Sequence, residues 1–410
     1  MKHYRFERGS VSMVSAWTRD EIHEGVAALL DAYIERLPTD KDARIVLKPN
    51  LNNDLVALTG NSVDLRVLAA TLEWLQAAGY TDLTIADGSN VGIERRGIDT
   101  FARLRVDKMA ERYGTGLVNL NRDDGYQVVL TAGAHPQIAR TVIDCDFLIS
   151  IPKVKTHCEA TFSCAMKNWV GIARGQDKRH MHMDLGRNIF AINEVIRPDL
   201  ILVDGLIGME GNGPGDGEPY RLGRLMMSDS AFVNDVVIAR MIGLKVAEIP
   251  YLVYALEAGD IDQDLIDAVN STVEVIRPVK KAPPRSKLAE LSDSRKLLWL
   301  KKAVRPLTSQ ESVLKVAYKL NIVQDVYSYE EDAVEGVRRS REDCGPCTTC
   351  ADFCPTGLSV EEIGVKTDPE SCISCMYCWW VCPDDAIQIA GNPGYMERQI
   401  ERYKKDIEGL

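Results

Sequence analysis

No stretch of this chain stays apolar for the roughly 18–20 residues that a membrane-spanning helix needs, so none is expected. The N-terminus, Met1-Lys2-His3-Tyr4-Arg5-Phe6-Glu7-Arg8, lacks the apolar core of a secretory signal, and a cytoplasmic protein is expected. The glycine-rich segment Met209 to Gly217 is not followed by Gly-Lys-Ser/Thr, and no complete G-x-G-x-x-G opens a helix there. A nucleotide or nicotinamide cofactor is therefore not expected. There is no low-complexity tract, and no internal repeat outside one cysteine-rich stretch. Surplus positive charge is absent as well: the net charge of −11 argues against nucleic acid as a partner.

What is present begins with cysteine. Eight of eleven cysteines lie between Cys344 and Cys382. A disulfide framework is a poor account of them, because the chain is long and carries no secretion signal. Cys344, Cys347, Cys350 and Cys354 form C-x2-C-x2-C-x3-C followed by Pro355, and Cys372, Cys375, Cys378 and Cys382 repeat it before Pro383. Three thiolates two residues apart wrap a loop around a cubane, and a remote fourth closes the cage. In bacterial two-cluster ferredoxins, which residues 340–390 resemble, that fourth cysteine serves the other cluster. Two [4Fe–4S] clusters are expected, one on Cys344, Cys347, Cys350 and Cys382, the other on Cys372, Cys375, Cys378 and Cys354. Zinc is the alternative, but it usually takes two separated pairs. Trp379 and Trp380, inside the second motif, are expected to pack over a cluster or against the rest of the protein.

The chain of 410 residues has room for more than one domain. Up to about residue 280, helical and strand patterns alternate. Helices are expected at Thr18–Leu37, Asp64–Ala78, Ile189–Ile196 and Ala231–Ile242. Short apolar runs read as strands at Ala43–Lys48, Leu83–Ala86, Phe147–Ile151 and Leu200–Val203. This alternation implies an α/β domain, residues 1–280, with a mainly parallel sheet. Pro278, Pro283 and Pro284 then break the pattern, and residues 281–335 read as a basic helical linker carrying Lys287, Arg295, Lys296, Lys301, Lys302 and Arg305. Residues 285–305 could touch a membrane surface or an acidic partner. A small ferredoxin-like domain at 336–391 and a helix at 392–410 complete the division.

Polar motifs follow the expected strands, where parallel sheets bind ligands. They are Lys48-Pro49-Asn50, Lys153-Val154-Lys155-Thr156-His157, Ala165-Met166-Lys167-Asn168 and Met209-Glu210-Gly211-Asn212-Gly213-Pro214. In combination these resemble the family catalogued as domain of unknown function 362, often fused to ferredoxin modules. The resemblance covers about residues 40–260 and implies an architecture and a site, without a settled reaction. The residues say more. Lysines beside a core are costly without a purpose. If Lys48, Lys153, Lys155 and Lys167 converge, they make a cationic pocket for a carboxylate or phosphate. If they pair with Asp204, Glu210 and Asp216, they form a structural ion network instead. The glycines from Gly205 to Gly217 read as an anion cradle or a plain turn. His180-Met181-His182 with Cys158 or Cys164 is a weaker metal candidate, and Arg174–Arg187 reads as a charged loop that could cover the site. Cys145, Cys158 and Cys164 read as ordinary thiols.

The function expected is an iron–sulfur oxidoreductase relaying single electrons to a small anionic substrate. Lys153, Lys155, His157, Lys167 and Asn168 would bind and protonate it, with Glu210 or Asp204 orienting the lysines. A redox protein would be donor or acceptor. The rivals are a non-catalytic electron carrier, and a cluster-dependent assembly or regulatory protein, each using the α/β domain as a docking platform.

Overall fold

The computed structural model describes residues 1–130, 133–283 and 328–410. Most of the expected basic linker, including residues 285–305, lies outside the described residues.

Five parallel strands form the centre: β3 (Ile45–Pro49), β4 (Leu83–Asp87), β5 (Gly116–Asn119), β8 (Phe147–Ile151) and β11 (Leu200–Asn212). Their order is β5-β4-β3-β8-β11. From β3 the chain runs outward through β4 and β5, then returns to β8 on the other side of β3. The topological switch point therefore lies between β3 and β8. The sheet continues antiparallel from β11 to β12 (Asp216–Ser228), β2 (Gly9–Ser15) and β1 (Lys2–Phe6). A short strand β9 (Lys153–His157) pairs with β11 and with β10 (Thr161–Ser163). A separate ribbon joins β6 (Gly125–Gln127) to β7 (Gln137–Ala139).

The inner strands β3, β4, β8 and β11 are mainly apolar and almost wholly buried, because both faces of the sheet are covered there. Alternate residues enter different cores: Ile45, Leu47, Ile85 and Ile149 on one side, Val46, Ala86 and Leu148 on the other. The first core is roofed by the helices Arg19–Ala32 and Leu65–Ala77. Thr18 starts the former through a capping box, its hydroxyl accepting from Glu21 N while Glu21 Oε2 accepts from Thr18 N. Asp64 caps the latter through Arg66 N.

The cysteine module shares that first core. Val337, Phe353, Tyr377, Trp380 and Ile387 belong to the same apolar cluster as Leu68 and Leu72. Its strands β13 (Ala333–Arg339) and β14 (Ile387–Asn392) pair antiparallel, so the module's first strand begins inside the segment expected to be linker. The helix Met396–Glu408 returns to the α/β domain, where Gln399 Nε2 donates to Asp54 O (2.9 Å) and Arg402 pairs with Asp216 (2.6 Å).

Of the two readings of Gly205 to Gly217 the turn holds: β11 and β12 form one long antiparallel hairpin that turns at Gly213-Pro214-Gly215, and Pro214 and Gly215 reach the cavity that the lysines line. The lysine motif follows its strand: β8 ends before Pro152, and Lys153 to His157 continue as the fully buried strand β9.

Candidate functional site

A cavity of about 330 Å³ opens at the carboxyl ends of β3 and β4, bounded by β9 and the helix Ala165–Asn168. This is the switch-point crevice, where open α/β sheets bind ligands. Lys48 ends β3 and Asp87 ends β4, so parallel pairing brings them together. Lys48 Nζ donates to Asp87 Oδ1 (2.6 Å), Pro49 O (3.0 Å) and Asn168 Oδ1 (3.0 Å). The other oxygen of Asp87 accepts from Leu51 N (2.6 Å). Burial lowers the Lys48 pKa, and the Asp87 charge opposes that. Asn168 is fixed by donating to Ser150 Oγ (3.0 Å).

Lys155 is buried and donates to two neutral oxygens, Asn50 Oδ1 (2.6 Å) and Asn61 O (2.7 Å). Desolvation, then the charges of Lys167 and Lys153, hold its pKa well below the ordinary lysine range. Lys167 is half-buried and makes no hydrogen bond or ion pair with the described residues. Burial brings its pKa down to about 8, against the pull of Glu159 and Cys158. Lys178, from the helix Lys178–Met181, bonds to Asn121 Oδ1, and burial brings its pKa down to about 7 despite Asp87. Gly88 makes this packing possible: a Cβ there would sit 2.5 Å from Lys178 Nζ and 2.6 Å from Gly171 O. His157 lines the cavity, its Nδ1 accepting from Glu159 N (3.0 Å) and Ala160 N (3.1 Å). In the neutral ring the proton then sits on Nε2.

Two expected residues lie elsewhere. Lys153 turns from the cavity to a buried pair with Asp204 (2.7 Å). Glu210 does not orient the lysines: it binds Arg277 (3.1 Å) and accepts from Lys280 N (2.8 Å). The expected covering loop does supply cavity residues, Lys178 and His182. Asp87 and Lys178 were not singled out as site residues. Asp87 had a signal, an acid ending an apolar strand, while Lys178 sat unremarked among charged neighbours. Asp235, fully buried, holds the helix Ala165–Asn168 by accepting from Ala165 N (2.9 Å) and Met166 N (3.1 Å). That helix carries Lys167 and Asn168.

The histidine metal candidate is not assembled. His182 Nδ1 faces Glu159 Oε2 (3.0 Å), Cys164 is buried beside Asn234, and no three His, Cys, Asp or Glu among the described residues gather to hold a single metal ion. A cubane asks for something different, since each of its thiolates meets its own iron. Cys350 has Cys347, Cys382 and Cys344 as electrostatic neighbours, whereas Cys375 has Cys354, Cys378 and Cys372. Cys354 and the first three thiols of the second motif, Cys372, Cys375 and Cys378, line one small apolar cavity with Leu358, Ile363 and Ile373. Polar hydrogens reach the sulfurs: Leu358 N donates to Cys354 Sγ (3.4 Å) and Arg339 Nη1 to Cys344 Sγ (3.5 Å). Such contacts tune cluster potentials. The donor set therefore fits iron–sulfur ligation.

Residues 45–240 match the family described as Domain of unknown function (DUF362), and residues 365–388 match the 4Fe-4S binding domain. Thylakoid-associated protein sll1697 of Synechocystis is 30% identical over 228 residues, covering 50% of this chain and 65% of that protein. Among solved structures, the lactate racemase apoprotein from Thermoanaerobacterium thermosaccharolyticum aligns at a TM-score of 0.36 and 11% identity, over 53% of this chain and 54% of that one. A Thermotoga maritima protein aligns at 0.29 and 15%, over 51% and 55%.

Proposed function

A DUF362 domain at residues 45–240 joined to a 4Fe-4S binding domain at 365–388 makes this an iron–sulfur electron-transfer protein, and from that premise we propose that it is a cytoplasmic oxidoreductase acting on a small anion held in the switch-point cavity. One observation carries the reading. Lys155, Lys167 and Lys178 all line the cavity, and none forms an ion pair with a described residue. Lysines gathered in a cavity without a direct ion pair are costly to keep charged unless a ligand supplies the partner. An electron carrier using the α/β domain only for docking would have no need of such a cavity.

Two [4Fe–4S] clusters would be held by Cys344, Cys347, Cys350 and Cys382 and by Cys354, Cys372, Cys375 and Cys378. When bound they supply single electrons, exchanged with a redox protein. The chain's own residues do the rest. Lys167 and Lys178 bind the anion and, with pKa values of about 8 and about 7, hold protons that can be released near neutrality. His157 lines the same cavity, while Asn50 and Asn168 fix Lys155 and Lys48. Asp204 and Lys153 support β9 from behind.

The test is anaerobic. Chemically reduced protein is mixed with fractions of a metabolite extract, and cluster reoxidation is followed by absorbance. One small anion should reoxidise the wild type quickly and Lys167→Ala or Lys155→Ala at least tenfold more slowly, with iron content unchanged. Equal reoxidation of all three proteins would refute the reading. No helix among the described residues is long and apolar enough to cross a membrane.

A further inference from the structure

Between the cysteine module and the cavity runs a line of four buried charges. Arg66, Asp64 and Asp204 are fully enclosed and Lys153 is 1% exposed. Arg66 holds Asp64 in a two-pronged pair (2.7 and 3.1 Å). Asp64 N donates to Asp204 Oδ2 (2.7 Å), and the same oxygen receives Lys153 Nζ (2.7 Å). Removing four charges from water costs several kcal/mol per ion, and a well-packed apolar seam would hold the two bodies together at least as well.

The ends of the line are informative. At one end Arg66 Nη1 donates to Asp352 O (3.1 Å), and the guanidinium lies 4.0 Å from the centre of the Phe353 ring. Phe353 precedes Cys354. Leu65 N, next in the chain to Asp64, donates to the hydroxyl of Tyr377 (3.2 Å), which lies between Cys375 and Cys378. The line therefore meets the module beside the thiols grouped with Cys354. At the other end Lys153 sits two residues before Lys155 on β9, and its charge acts on Lys155. Every link is a hydrogen bond or the chain itself, in a region where fixed charges are poorly screened.

We propose that this line couples the charge of the cluster held by Cys354, Cys372, Cys375 and Cys378 to the occupancy of the lysine-lined cavity, so that a bound anion and an added electron disfavour each other. The proposal rests on the reading of the cavity as an anion site. Both events add negative charge to the same poorly screened line. Linkage is reciprocal: an anion that binds the oxidised protein more tightly must make the cluster harder to reduce by the same factor. A reduced cluster then becomes a stronger one-electron donor when its acceptor is in place, and a weaker one when the cavity holds only water.

The experiment uses the full chain with its clusters, and inorganic sulfate and malonate as redox-inert probes. Binding to the oxidised protein is measured by calorimetry. Midpoint potentials are measured by mediated redox titration read by electron paramagnetic resonance, one electron entering per cluster from the reductant and none passing to the probe. The expected result is binding about tenfold tighter to the oxidised form, read as a potential about 59 mV more negative with probe present. In the double variant Lys153→Gln, Asp204→Asn, which keeps hydrogen-bonding groups and removes both charges, the probe should still bind and the shift should fall to less than half. Binding without any shift in the wild type overturns the coupling and leaves the anion site standing. A full shift in the double variant overturns the route assigned to it. Failure of both probes to bind removes the anion site and the coupling together. The wild-type measurement decides the matter even if the variant does not fold.

Discussion

Raising the pH from 6 to 9 should weaken anion binding in two stages, because the two lysines that titrate in this range do so at different places. Lys178 has a pKa of about 7 and Lys167 of about 8, both depressed by burial from an ordinary 10.5. Below pH 7 both carry charge, between 7 and 8 chiefly Lys167 does, and above 8 neither. If only Lys167 is needed, affinity falls about tenfold between pH 6 and 9; if both are needed, the fall is about a thousandfold, steepening above pH 8. A bound anion raises both values, so the observed breaks lie somewhat higher. Sulfate is the suitable probe, since it does not titrate in this range, and calorimetry is the assay. Folding stability supplies an internal control of opposite sign. The unfolded chain binds more protons than the fold between the depressed values and 10.5, so these lysines make the fold more stable as pH rises through that window, with the gain lost as pH falls towards 7. Binding should therefore weaken while the fold strengthens. A flat affinity from pH 6 to 9 in protein that keeps its clusters would refute the charge argument. So would an unchanged profile in Lys167→Met.

Anaerobically prepared protein should hold about eight iron atoms and eight sulfides per chain; Cys382→Ser should perturb the cluster on Cys344, Cys347 and Cys350 first, and iron analysis with spectroscopy showing damage to the Cys372 cluster instead would contradict the crossed assignment. Asp87→Ala should strand the Lys48 ammonium in the sheet and lower stability by about 3–5 kcal/mol in denaturant unfolding, whereas Asp87→Asn should cost less; equal, small losses would show that the pair is not buried as described.

Much of the framework was legible because the central strands obey a simple rule. Phe147–Ile151 is apolar but for Ser150 and buried along its whole length, as suits a doubly covered parallel strand, and its expected limits coincide with β8. Leu200–Val203 was read too short for the opposite reason. Its continuation holds Gly205, Gly208 and Gly211, which are disfavoured in strands, yet a Cβ at Gly208 would strike the Tyr220 ring at 2.5 Å. The hairpin uses glycine for close packing, and that requirement exists only once β12 lies beside β11. The lysine motif shows the same limit. Local sequence says that Lys153, Lys155 and His157 belong together, and all three do lie on β9. It cannot say that Lys153 is answered by Asp204, fifty-one residues later, while Lys155 meets only neutral oxygens. Asp87 and Lys178 were overlooked because each acquires meaning from a neighbour distant in sequence.

The helix Met396–Glu408 has a consequence for anyone wishing to exchange parts of this protein. The chain enters the cysteine module through β13 and, after β14, does not stop there: it doubles back so that Gln399 bridges Asp54 O and Val56 N, and Tyr395 reaches Arg103 O. The module is thus clasped by its host from the far side as well as from the near one. A foreign ferredoxin spliced in at a single junction would leave this clasp empty, with the backbone around Asp54 open to water. Transplantation would have to carry the clasp along, and shuffling such modules between hosts is correspondingly a two-seam operation.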